Sequence, residues 1–467
     1  MAFMSKRAET PNVYGVETEY SAMFTLPGDK TYEIVGKCHS IDEPLGLYKE
    51  PKSKGTDHID RSSITDVLED MGLYSNPSGM LSNGGRFYID PSGPEYATPE
   101  TSTAEEAVHR VFDGDDIMLD LFGRLRESGV LQDFQLNRRI VDHNRTSRGI
   151  HLNNTTSLPA DIPSVIVMSA LATLNVAKGA MFGSGGLLIN DRGKTDFHHS
   201  PRLSITSITG ATYQNYQQRP LVRYPFKEDG ELARVETVTS DALSFAWPLR
   251  ASLVITNSLL RVIEQDENTD FPILRNPVKA AHIVGQYGYK NQIAVYRENE
   301  KHEGEKPLNI LKEICEIVLD ANEELEVLDD EAKQVLPEII DVADRMSDNP
   351  ESVANQVESV ARMIAMRKKM GKEGVKLYSE KMCRFDYAWD WIGGGIAETL
   401  RNKNVVGWQG FKTKHSPRTA DKRRNSPPVD TRAKIRGDLI QERAGDVDID
   451  WSGTDRIYLH PLDTVLE

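Results

Sequence analysis

Cysteine is scarce in this chain: Cys38, Cys315 and Cys383 are the only three, they lie far apart, and no two form a CxxC pair. That spacing excludes a zinc knuckle and a disulfide framework, and it suits a reducing cytoplasm. Long apolar runs are missing too. No stretch approaches the ~20 apolar residues that a membrane span needs, and the opening Met1-Ala-Phe-Met-Ser-Lys-Arg-Ala-Glu has no apolar segment after its basic residues. The chain is therefore expected to be soluble, unexported and cytoplasmic, with no membrane partner. Positive charge is in deficit, since 56 Lys and Arg against 71 Asp and Glu give a formal net charge of -15. Such a field repels nucleic acid, which is not expected as a partner.

What is present is a globular composition, with 39% hydrophobic and 27% charged residues over 467 positions. That is enough for one large domain and a smaller one. Val13 to Leu26 is rich in β-formers and carries Glu17 and Glu19 two apart, so a strand puts both on one face. Residues 28 to 80 are polar and punctuated by Gly and Pro, as in Pro51-Lys52-Ser53-Lys54-Gly55 and Asn76-Pro77-Ser78-Gly79. They read as a long loop excursion with one short helix near Ile64 to Met71. Leu81 to Asp90 reads as a strand with Arg86, Tyr88 and Asp90 on one face and Phe87 and Ile89 on the other. Thr103-x-x-Glu106 opens a helix as a capping box, and Gly129 closes it. Further helices are expected over Val165 to Ala180, from Trp247-Pro248 to Ile263, and through the acidic region from Leu308 to about Glu380. The basic stretch Lys412, Lys414, His415, Arg418, Lys422, Arg423 and Arg424 reads as a mobile linker to a last small domain. Phe385, Tyr387, Trp389 and Trp391 are expected to pack as core.

Two polar-faced strands carry the chemistry: Gly15-Val16-Glu17-Thr18-Glu19-Tyr20, and Asn83-Gly84-Gly85-Arg86-Phe87-Tyr88-Ile89-Asp90 followed by Pro94-Glu95-Tyr96. Carboxylates gathered in a cleft repel one another unless a cation neutralises them. Mg²⁺ takes oxygen ligands and is commonly shared between carboxylates and substrate phosphates, and Arg86 offers a planar fork to a phosphate or carboxylate. A solvated sheet face shows the same alternation. Its repetition on two strands, each entered through glycine, favours a site.

These strings, with Pro94-Glu95-Tyr96-Ala97-Thr98-Pro99-Glu100 and Pro427-Pro428-x-x-Thr431-Arg432-Ala433-x-x-Arg436-Gly437, resemble the Pup ligase and Pup deamidase/depupylase family over most of the chain. The resemblance implies an α+β, glutamine-synthetase-like catalytic domain over 1–400, with 28–80 as a loop insertion, and a small C-terminal domain over 401–467. It implies ATP and Mg²⁺ as cofactors. The implied partners are a Pup-like small protein modifier and its lysine-conjugated targets. By the same resemblance Glu17, Glu19, Glu95 and His151 are metal ligands and Asp90 is the catalytic aspartate. Arg86, Tyr88, Asn153, Arg223, Arg234 and Arg432 would bind the nucleotide.

Ser147-Arg148-Gly149-Ile150-His151-Leu152-Asn153 is similar to the family's Ser-Tyr-Gly-x-His-Glu-Asn but has Leu152 in place of glutamate. Arg234-Val235-Glu236 stands where Arg-Leu-His is usual, and Ser240-Asp241 where Gly-Asp is. The 28–80 excursion, the step from Asp90 to Glu95 and Asp430 favour a deamidase or depupylase. Ala97-Thr98-Pro99-Glu100 favours the ligase, kept as the alternative. The losses at Leu152 and Glu236 motivate a third reading, a nucleotide-binding pseudoenzyme or regulator. The fold would also permit a small-molecule glutamate-amine ligase.

Overall fold

The computed structural model describes residues 11–28, 33–34, 47–48, 58–59, 61–76, 78–90, 93–141, 147–158, 165–189, 195–211, 218–223, 233–296, 304–403, 407–412, 422–443, 447–449, 457–459 and 464–466. In chain order the first elements are β1 (Tyr14–Glu19), β2 (Ser21–Thr25), β3 (Glu33–Ile34), β4 (Leu47–Tyr48), β5 (His58–Ile59), α1 (Arg61–Asp70), β6 (Arg86–Asp90) and β7 (Gly93–Ala97). Then come α2 (Ala104–Glu127), β8 (Asp133–Asn137), β9 (Ile150–Thr156), α3 (Val165–Gly179), β10 (Gly186–Ile189), β11 (Thr195–His198), β12 (Ile208–Ala211), β13 (Pro220–Arg223) and β14 (Ala233–Ser240). The helices α4 (Ala246–Gln265), α5 (Pro277–Tyr287), α6 (Pro307–Leu325), α7 (Asp330–Asp348), α8 (Glu358–Glu373), α9 (Glu380–Trp389), α10 (Ile396–Asn402) and α11 (Ala433–Arg443) follow. The α+β class expected from the sequence is the one observed. The chain packs into two compact units, one of Gly15–Arg139, Asp390–Glu398 and Thr413–Glu467, the other of Met1–Tyr14, Ile140–Trp389 and Thr399–Lys412.

In the unit holding Gly15–Arg139, β7 lies between β1 and β6 and pairs antiparallel with both. The β-rich run at 13–26 is two strands rather than one. It breaks at Tyr20, whose N–H donates to the Pro94 carbonyl at 2.8 Å and whose hydroxyl meets Asp115 at 3.1 Å. Past that break β2 leaves the site and pairs antiparallel with β8 and β3. The α2 cap forms as the sequence predicts, with the Thr103 hydroxyl accepting from the Glu106 N–H at 3.2 Å. Gly129 closes the helix at φ 79°, a conformation glycine adopts without strain.

The short helix expected near Ile64 to Met71 forms as α1, but the reading of 28–80 as a loop excursion is corrected from residue 61 onward, because this stretch belongs to the core. Helix α1 and the turn after it bury Ile64, Leu68, Leu73 and Leu81 in one core with Phe24, Phe87, Met118 and Phe122. Ile64, Val67 and Leu68 stand at helical i, i+3, i+4 spacing, a stripe masked by the polar residues around it. Between 28 and 60 the described residues pair as β3 with β2 and β4 with β5; the rest of that stretch lies outside the described residues. The second expected strand is also shorter than read, because Leu81–Gly85 turns through Gly84 at φ 83° before β6 begins at Arg86.

The C-terminal helix α11 docks in this same unit. A Cβ on Gly84 would stand 2.8 Å from the Ala433 carbonyl oxygen, and one on Gly437 2.5 Å from that of Ser82, so only glycine permits these approaches. Arg423 forms a two-point pair with Asp113 at 2.9 Å on both arms. The linker reading of the basic stretch is therefore corrected at Arg423, which is fastened rather than solvated. Lys414, His415, Pro417 and Arg418 lie outside the described residues. Trp391, expected in the core, is 41% exposed.

In the other unit β13 lies between β12, its parallel neighbour, and β14, its antiparallel one, and β14 pairs antiparallel with β9. Apolar α3 packs on β13 and β14, and α4, starting with Ala246, Trp247 and Pro248 as the proline signal predicts, packs on α6 and α7. Trp389 is buried and donates its indole N–H to Glu358 at 3.0 Å, beside the fully buried Arg362–Asp386 pair. Among the described residues no helix is long and apolar enough to cross a membrane.

Candidate functional site

The carboxylate face is built by strand register. Across β1, β7 and β6, Glu19 stands opposite Glu95, and Glu95 opposite Tyr88; one step along, Glu17 and Arg86 stand opposite Ala97. Period-two alternation puts Glu17, Glu19, Glu95, Tyr88 and Arg86 on one side of these strands. Phe87 and Tyr96 go to the other side, where they are buried in the core. Glu17 is 8% and Glu95 2% exposed, and each offers a carboxylate oxygen, the two within 4.8 Å of one another. Burial pushes the Tyr88 hydroxyl well above its ordinary range, and the Glu95 and Glu17 carboxylates push it further, with Tyr88 hydrogen-bonded to Glu95. It therefore stays a neutral donor. Two buried carboxylates this close are a donor set that fits a hard divalent cation such as Mg²⁺.

Arg86 is not idle on this face. Its guanidinium lies 4.4 Å from the Tyr88 ring centroid, and its Nε donates to the Ser78 carbonyl at 3.0 Å. Asp90 ends β6 in register with Gly93. Arg432 is drawn to Glu100, with Nε donating to the carboxylate at 2.8 Å, while Arg436 grips the same carboxylate and the Gly84 carbonyl. Burial would raise the Glu100 carboxyl, but the Arg436 and Arg432 guanidiniums draw it from 4.5 down to about 2.

The arginine face lies on β13, β14 and β9. Arg223, Glu236 and Asn153 stand in one row across the three strands. Arg223 holds Glu236 with both arms, the Nε contact being 2.5 Å. His151 Nδ1 is 2.7 Å from the same carboxylate, and Arg234 reaches it at 3.6 Å. Burial would raise the Glu236 carboxyl, but His151, Arg234 and Arg223 hold it far below the usual carboxylate range. Asn153 is 8% exposed, and its Oδ1 has no hydrogen-bond partner among the described residues, an acceptor suited to a bound ligand. Leu152 turns to the opposite side and is fully buried. Asp241 is a structural acceptor, taking the Arg202 N–H at 3.0 Å and the Ser184 N–H at 3.4 Å, and burial pushes its carboxyl up to about 6.

Strand register thus gathers Glu17, Glu19, Glu95, Tyr88 and Arg86 on one strand face within the unit holding Gly15–Arg139, and His151, Asn153, Arg223 and Arg234 on one strand face within the other unit. The sequence reading missed the carboxylates that hold the arginines, Glu236 for Arg223 and Arg234 and Glu100 for Arg432. Glu236 stands two residues from Arg234 on one strand face, a signal that alternation could have given. Glu100 follows Pro99 in a quoted string without any pattern to mark it.

The family model described as Pup-ligase protein matches residues 12–455. Among curated relatives, the Pup--protein ligase of Rhodococcus opacus (strain B4) is 24% identical over 390 residues, covering 80% of this chain and 82% of that protein. That of Nocardioides sp. is 23% identical over 462 residues, covering 94% and 92%. A solved complex of the prokaryotic ubiquitin-like protein Pup with its ligase PafA matches at a TM-score of 0.75 and 17% identity, covering 98% of this chain and 88% of the ligase. A structure of PafA with ADP matches at 0.68 and 17%, covering 90% and 92%. At this identity the two structures establish the fold alone, the glutamine-synthetase-like one expected from the sequence. The match to the family model over nearly the whole length carries the further conclusion that the chain belongs to the Pup-ligase protein family.

Proposed function

We propose that this protein is a Mg²⁺- and ATP-dependent ligase that joins the C-terminal glutamate of a Pup-like modifier to lysine side chains of target proteins. The observation that carries this reading is the family match over residues 12–455, together with relatives each named a Pup ligase. The ligase, weighed in the sequence as the alternative, is thus better supported than the deamidase or depupylase put first there. The cytoplasm is its proposed location, in keeping with three cysteines that lie far apart and form no CxxC pair.

The chain's own residues divide the work. A carboxylate does not acylate an amine unaided, and ATP would supply the activation. Glu17, Glu95 and Glu19 would hold Mg²⁺, with Tyr88 donating to Glu95 so that this carboxylate is oriented before the cation arrives. Arg86 would meet phosphate, and Asn153, Arg223, Arg234 and Arg432 would contact the nucleotide, Arg223 only as far as Glu236 leaves it open. His151, whose Nδ1 meets Glu236 at 2.7 Å, would be a further metal ligand. Asp90 would accept the proton that the lysine loses as the amide bond forms.

The grip of Glu236 on Arg223 favours a second reading, a nucleotide-binding regulator without turnover. One experiment separates them: incubation with Mg-ATP, a lysine-bearing target and a Pup-like protein ending in Glu or in Gln, followed by intact mass and ADP release. Conjugation with the Glu form and ADP release support the ligase. Loss of ammonia from the Gln form, without conjugation, would return the assignment to the deamidase, and inertness with bound ATP to the regulator.

A further inference from the structure

We propose that Glu236 is a built-in anion: it fills the guanidinium fork of Arg223 and thereby decides which anionic ligands this sheet face accepts. The inference rests on the nucleotide reading for its natural ligand, a terminal phosphoryl group.

Arg223 meets Glu236 through Nε and a second N–H of the same guanidinium, one on each carboxylate oxygen. This two-point arrangement is the one a guanidinium makes with a phosphate. The Glu236 side chain is 0% exposed, with His151 Nδ1 at 2.7 Å and Arg234 at 3.6 Å converging on the same group. Strand register fixes the placement, because Arg223 and Glu236 are direct partners of β13 and β14. Neither needs a loop rearrangement to find the other.

A buried carboxylate with several cationic partners is held tightly, since removing one partner strands charge in a poorly solvated place. An incoming polyphosphate must therefore displace Glu236 or bind without the Arg223 fork. Either way the terminal phosphoryl group gains little from Arg223, and selectivity for triphosphate over monophosphate falls. Glutamine at 236 keeps the shape but removes the charge that competes with phosphate.

The test is calorimetric titration of folded full-length wild type and Glu236→Gln with inorganic tripolyphosphate and with AMP. Glu236→Gln should bind tripolyphosphate about tenfold tighter or more, the scale of one charge-assisted hydrogen-bonded pair, with AMP affinity within about twofold of wild type. Equal tripolyphosphate affinity in the two proteins overturns the proposal. Should Glu236→Gln fail to fold, Glu236→Thr takes its place: it also frees the Arg223 fork and must bind tripolyphosphate about tenfold tighter than wild type, so an affinity no greater than wild type's refutes the proposal. Wild type that binds no Mg-ATP at all would overturn the proposed function, while the tripolyphosphate comparison would still decide the role of Glu236.

Discussion

Glu100 offers a quantitative test of how the C-terminal helix is held. Its carboxylate is 7% exposed and grips Arg436, itself 8% exposed on the side chain, together with Arg432, which is 52% exposed. The carboxyl is drawn from 4.5 in the unfolded chain to about 2 in the folded one. At ~1.36 kcal/mol per tenfold change in acidity this corresponds to about 3 kcal/mol of folding stability at neutral pH. Solvent screens the Arg432 share, so about 2 to 3 kcal/mol is the working figure. The sign follows from the depressed value. The contribution is complete above about pH 4.5, where the unfolded carboxyl is ionised, and fades as pH falls toward about 2. Glu100→Gln should therefore lower stability by about 3 kcal/mol at pH 7, part of it from leaving the Arg436 charge unmatched. Urea unfolding followed by fluorescence at pH 7, 5, 4 and 3 would measure the gap between wild type and variant. A gap that is absent at pH 7, or that stays constant down to pH 3, would refute the argument.

Three further outcomes can be checked alongside. Leu68→Ala should cost about 2 to 5 kcal/mol in the same unfolding assay, as removal of a fully buried side chain does; a cost near zero would restore the loop reading of that region. Glu95→Gln should weaken Mg-ATP binding in calorimetry by tenfold or more, on the order of one lost metal-ligand charge, and unchanged affinity would remove Glu95 from the metal set. Asp90→Asn should fold and bind Mg-ATP yet lose roughly 10²-fold of its turnover in a gel-based conjugation assay, so wild-type rates would end its assignment as the base.

Much of this was readable because local rules coincided with tertiary need. The Thr103 cap, the proline-started α4 and the Glu17/Glu19 alternation each depend on neighbours within a few residues, and each was placed correctly. What was lost depends on distant partners. Nothing near Tyr20 announces that the chain changes sheets there, because the reason is Asp115 on another element. Helix α1 is announced by its short apolar stripe, but its place in the core is not, because the residues that bury it lie on α2 and β6. The site face was legible as a pattern of polar residues. Which arginines are already held by Glu100 and Glu236 was not, since ion pairing across strands follows register, and register is not written in either strand alone.

The docking of α11 also bears on how the protein is made. Asn83 donates to the Arg424 carbonyl 341 residues away, Arg110 to that of Ser426 316 residues away, and Arg436 to Gly84 352 residues away. The turn that feeds β6, and with it Asp90, therefore lacks its final support until residues 341 to 352 positions further along have left the ribosome. At ~5–20 residues per second the nascent β6–β7 hairpin waits tens of seconds with that flank uncovered. Truncation shortly before Ala433 should thus yield a polypeptide prone to aggregate through the uncovered turn at Ser82–Gly85.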